Sequence, residues 1–224
     1  MAWEVLANPP SEGLLANPEF FEIFAGQLAF GCKLALASGW VPLERASEYA
    51  SLTQAAWRAL APRLKDGARE GNAPAFALWV FDPVLHQQAE GAKSWTDADL
   101  DTWWNHLEPL AGAIVRDGPW REISSLTRLL SESRLTGAID VGRLWPLVET
   151  IAVRAAAVDP PQGGAYWRQA LTCASSLAVK MAERATHPKL RDDLYAVVSK
   201  WGASPLSLDE AATAAKSIRE QPAD

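Results

Sequence analysis

The sequence predicts an all-α protein, an irregular multi-helix bundle or a short α-solenoid of about eight to nine helices. Apolar residues recur at the helical period along almost the whole chain, so that each segment gathers them on one face. Runs of alternating Val, Ile, Thr and aromatic residues between turn signals, which mark strands, do not interrupt that pattern. Eleven of the 224 residues are Trp, spread at about one per predicted helix. Trp contributes a large apolar area together with one N–H donor, which suits both cores and protein interfaces.

Each element follows from local signals. Residues 1–12 read as a poorly ordered, extended start containing Pro9 and Pro10. Pro18 fits the first turn of a helix that carries Phe20, Phe24, Leu28 and Leu34 and closes at Gly39. A second helix runs over about Leu43–Lys65 with Tyr49, Leu52, Ala56 and Leu60 on one face, and Pro62 bends its last turn. The third spans Ala75–Gln88 and is interrupted at Asp82-Pro83. Thr96 caps the fourth, placing Asp97 and Asp99 in the positive first turn, and Pro109 is expected to kink or divide it.

Four further helices cover about Trp120–Leu135, Val141–Val158, Tyr166–Thr186 and Pro188–Lys200. A last one begins with Ser207 and Glu210 at capping-box spacing and reaches about Glu220, with 221–224 poorly ordered. The whole reads as one domain, with a candidate subdomain break at the Pro- and Gly-rich stretch 159–164.

The tryptophans carry a faint repeat. Aligning Trp104, Trp120, Trp145 and Trp167 places Leu107, Ile123, Val148 and Ala170 three residues on, and Leu110, Leu126, Ile151 and Cys173 six residues on. Ile114, Leu130, Ala155 and Leu177 follow at the tenth position, so each set lies on one helical face. Gly118, Gly142 and Gly164 precede three of the four. Any amphipathic helix produces this periodicity, which makes the faces firmer than the repeat.

Composition narrows the function classes. A mostly apolar, moderately charged chain should fold, and its two cysteines, Cys32 and Cys173, are too few for a disulfide framework or a four-cysteine zinc site. No Lys or Arg precedes Lys33, so a basic signal region is lacking and a cytoplasmic location is expected. The net charge of −6 argues against a protein devoted to neutralising phosphates. Residues 1–113 hold 7 basic against 14 acidic side chains, whereas 114–200 hold 12 against 9. Lys180, Arg184, Lys189 and Arg191, extended by Arg154, Arg168 and Lys200, are the anion or nucleic-acid candidates in that basic quarter.

Chemistry-bearing motifs are weak. Asp97, Asp99, Asp101 and Glu108 match the ligand spacing of a calcium loop, but Thr102 stands where the sharp turn needs Gly; an N-capped helix explains the same acids. His86, His106 and His187 are far apart and form no metal-binding pair at helical spacing. The phosphate-binding glycine loops and the nucleophile elbow do not occur in the sequence. No cofactor or metal is therefore expected. Residues 20–41 are apolar around nearly the whole helix, but Gln27 and Lys33 near its middle favour a core helix over a membrane, granule or partner surface.

Trp103 and Trp104 point about 100° apart on a helix, so they cannot both centre one face. With Trp104 in the core, Trp103 and His106 move toward its edge, where a neighbouring helix or a partner covers them. Trp3, Trp103 and His106 are the protein-interface candidates. The expected function is a non-enzymatic helical interaction subunit or adaptor, with a hetero-complex or homo-oligomer partner. The alternatives are a small-ligand-binding protein or enzyme with an aromatic pocket, and a nucleic-acid-associated subunit of a complex.

Overall fold

A computed structural model describes Asn17 and residues 43–64, 75–85, 96–133, 135–158, 164–182 and 184. It is all-α: the described residues form helices and connecting turns, with no strand among them. The seven α-helices are α1 (Ala46–Leu60), α2 (Phe76–Leu85), α3 (Asp97–Asp117), α4 (Trp120–Glu132), α5 (Leu135–Ala138), α6 (Val141–Ala156) and α7 (Gly164–Ala182). The helices expected over 18–39, 188–200 and 207–220 lie outside the described residues. No described helix is long and apolar enough to cross a membrane.

Local chemistry sets the helix ends. Leu43–Arg45 form a 3-10 turn ahead of α1, and Ala61–Arg63 form another after it, where Pro62 tightens the end of the helix. Thr96 and Asp99 make a reciprocal capping box on α3: the Thr96 hydroxyl accepts from the Asp99 N–H at 3.2 Å, and the Asp99 carboxylate accepts from the Thr96 N–H at 2.8 Å. Ser133 is extended, so α4 stops there rather than at Leu135, and the Ser133 hydroxyl accepts from the Leu135 N–H to begin α5. Asp140 caps α6 through the Gly142 N–H at 2.7 Å.

Two expected interruptions do not occur. Helix α3 runs unbroken through Pro109, and α2 runs through Asp82 and Pro83 to Leu85. A proline removes one intrahelical bond. At Pro109 the affected carbonyl belongs to solvent-exposed Asn105, while buried Leu107, Leu110, Ala111 and Ile114 hold the flanking turns.

The repeat positions point inward, but the layout is a bundle, not a solenoid. Helix α4 packs most extensively on α7, more than on its sequence neighbours, and also carries α2; α3 packs on α1 at one side and on α5 and α6 at the other. Trp103 and Trp104 are both buried, at 0% and 1% exposure, so α3 is enclosed on two faces. The indole N–H groups of Trp104 and Trp167 lack a hydrogen-bond partner, each costing about 1–3 kcal/mol. Burying an indole of about 200 Å² contributes roughly 5 kcal/mol, so burial wins.

Helix α3 ends at Gly118, where the chain and a ring from α1 meet closely. A Cβ there would lie 2.5 Å from the Ile114 carbonyl oxygen and 3.1 Å from the Trp57 ring. Gly118→Ala is expected to lower stability by about 1–3 kcal/mol, read as a fall in the urea midpoint at constant slope. An unchanged midpoint would show that both the end of α3 at Ile114 and the Trp57 ring shift without cost.

Candidate protein-binding groove

The face of α1 and its 3-10 turn that carries Gln54, Trp57, Arg58 and Ala61 at helical spacing runs beside a second face on α3. Pro109, Leu110, Ala113 and Arg116 form that second wall, and the two enclose an open groove of about 350 Å³. Its floor is apolar. Trp57 and Leu110 are buried, Ala61 and Ala113 half-buried, and the small alanines leave the depth that larger side chains would fill. Trp57 is held from behind by Phe76 of α2, ring centroids 5.6 Å apart, so the floor is fixed by the core. Pro62, Arg58, Pro109, Arg116 and Asp117 are exposed along the rim.

Trp103 does not contribute to a surface. It is fully buried, edge-on to Tyr49 with centroids 5.5 Å apart, and the Tyr49 hydroxyl donates to the Val80 carbonyl at 3.0 Å. The cover over Trp103 is thus helix α1 of the same chain, which corrects its expected place at an interface. His106 is half-buried on α3, and Trp3 lies outside the described residues.

The basic candidates divide in the same way. Lys180 donates to the Ser131 carbonyl at the end of α4, and Arg184 donates to the Ile139 carbonyl just past α5 at 3.2 Å. Arg154 donates to the Val115 and Gly118 carbonyls at 2.7 and 2.9 Å and lies 5.2 Å from the centre of the Trp120 ring. These cations sit on helix C-termini, where the backbone dipole favours them. Arg168 is exposed; Lys189, Arg191 and Lys200 lie outside the described residues. No cluster of His, Cys, Asp or Glu that could hold a metal occurs among the described residues. Asp101 and Glu108, read above against a calcium loop, instead hold Arg143 of α6 at 2.9 and 2.5 Å.

One buried charge was not singled out in the sequence. Glu122 of α4 is 3% exposed and accepts from the Phe76 and Ala77 N–H groups at 3.1 and 2.8 Å, closing the N-terminus of α2 from another helix. The signal was its position four residues before Leu126 and seven before Leu129, on the apolar stripe. Burial pushes its carboxyl above the usual range, against the two N–H groups and Arg121, which act to lower it.

No family model, curated protein or solved structure matches the chain.

Two predictions follow from these contacts. Trp103→Ala should cost about 3–5 kcal/mol of stability, measured by urea unfolding; a loss below about 1 kcal/mol would mean the ring is not core. A carboxyl whose folded pKa is raised binds more protons folded than unfolded, so its contribution is complete at acid pH and declines as pH rises from the ordinary carboxylate range through the raised value. Glu122→Gln, which turns an NH2 toward one of the two N–H groups, should therefore destabilise most at about pH 4 and less toward neutrality. A difference that widens with pH, from paired denaturation curves, would refute that sign.

Proposed function

We propose that this chain is a non-enzymatic, all-helical interaction subunit or adaptor that receives a protein partner in the α1–α3 groove. The observation that carries the reading is the groove itself: an apolar floor left open beside a core of buried Trp, Leu and Ile. Apolar floors with polar rims are the usual form of protein-binding sites. The buried Trp57, packed on Phe76, holds the floor rigid from the core side. An adaptor role also fits the way charges are placed, since the cations at helix ends and the Arg143 clamp stiffen the scaffold that presents the groove. A cytoplasmic location is part of the same proposal.

Native mass measurement on the chain purified from its source tests this. A hetero-complex or homo-oligomer is expected, and a chain that stays monomeric with nothing co-purifying would overturn the reading.

A further inference from the structure

The groove is not neutral. Arg58 stands on the α1 wall and Arg116 on the α3 wall, each in the last turn of its helix and each exposed, with the apolar floor between them. Among the described residues Arg58 makes no ion pair. Arg116 holds only its neighbour Asp117, at 3.0 Å, through side chains that are 66% and 53% exposed. Such an exposed pair is weak in water and exchanges readily for a better-placed carboxylate. Asp117 is the one acid on the rim, so the lining keeps a net positive charge.

The shape separates possible occupants. A small-molecule site encloses most of its ligand, whereas this groove is open along one side between two helices, with alanines that admit side chains from above. A helix or short peptide laid along it fills the floor with apolar side chains at helical spacing and leaves its flanks beside the two guanidinium groups. We infer that the occupant is a peptide segment of a partner protein, with apolar residues for the floor and Asp or Glu on both flanks to meet Arg58 and Arg116. The inference rests on the interaction-subunit reading and adds the chemistry of its partner. Planar guanidinium forks recognise carboxylates in pairs of hydrogen bonds, so the two arginines also set the register in which the segment lies.

The test uses the full chain, immobilised, as bait for a displayed library of random short peptides, with the selected peptides then synthesised and titrated. Selected sequences are expected to carry apolar residues flanked by Asp or Glu. Ala113→Phe, which fills the floor, should abolish their binding. Arg58→Glu combined with Arg116→Glu should weaken binding about tenfold or more and shift selection to Lys- or Arg-flanked peptides. Both arginines are exposed and their reversal removes only a helix-end contribution, so the double variant should stay folded with a modestly lower melting temperature, which separates lost binding from lost folding.

Selection of peptides without acids, selection of none, or binding indifferent to charge reversal would overturn the inference. Sedimentation showing a dimer that Ala113→Phe dissociates would also overturn it, by assigning the groove to a second copy of the chain. A native complex that survives both variants would remove the groove as the binding site and leave only the subunit role, with its partner seated elsewhere; a lone monomer that binds no peptide would remove both.

Discussion

The double burial of α3 is the constraint on which the rest of the structure depends. Neighbouring residues on a helix point about 100° apart, yet Trp103 and Trp104 are both inside, so α3 needs cover from two directions. Helix α1 supplies one, with Tyr49 against Trp103; α5 and α6 supply the other. The C-terminal turn of α3 keeps Ile114, Val115 and Gly118 buried while Arg116 and Asp117 stay exposed. The cation of Arg154 and the closeness allowed by Gly118 both answer that position. The groove has the same origin, because α1 is held against α3 by its Tyr49 and Trp57 face, while Ala61 and Ala113 are too small to close the space beside it.

Short helices packed in a bundle multiply a second cost, the unbonded N–H and C=O groups at every end. Here charged side chains from one helix repeatedly serve the end of another. Glu122 serves the N-terminus of α2, while Arg154, Lys180 and Arg184 serve the ends of α3, α4 and α5. The signs obey the helix dipole in every case. Hydrogen bonds from the three cations contribute about 1.5–3 kcal/mol each, whereas fully exposed pairs such as Arg45–Glu48 are screened by water, so the helix-end cations outweigh them. Three of the cations in residues 114–200 thus have a structural role: they serve the ends of earlier helices.

How much of this was legible depended on whether the information lay within one helix. Single-helix features read well: the Thr96 cap, and the inward faces headed by Trp104, Trp120, Trp145 and Trp167. The prolines were overweighted, because one lost bond is a small term beside the burial of a turn containing Leu107, Leu110 and Ala111. Trp103 looked like an edge residue since a sequence shows one stripe and not the second neighbour that α1 provides. The groove was out of reach for the same reason: Ala61 and Ala113 acquire meaning only when α1 and α3, about fifty residues apart, are placed side by side.

Arg154, Arg58 and Arg116 all sit in the last turns of their own helices, and what their guanidinium groups reach separates them into two classes. Arg154 reaches across to the end of another helix, with its guanidinium over Trp120 and its hydrogens on two carbonyls, so its geometry is fixed by the core. Arg58 and Arg116 sit in the last turns of their own helices, where the dipole already favours them, and they extend into solvent. Helix-end electrostatics acts on both classes, but only the first is immobilised by it. A cation that stabilises its helix from outside keeps most of its hydrogen-bond donors available, and its partial desolvation by an incoming carboxylate strengthens an attraction that water otherwise screens. The same side chain can then support the scaffold and greet a partner, which a cation buried on a carbonyl cannot do.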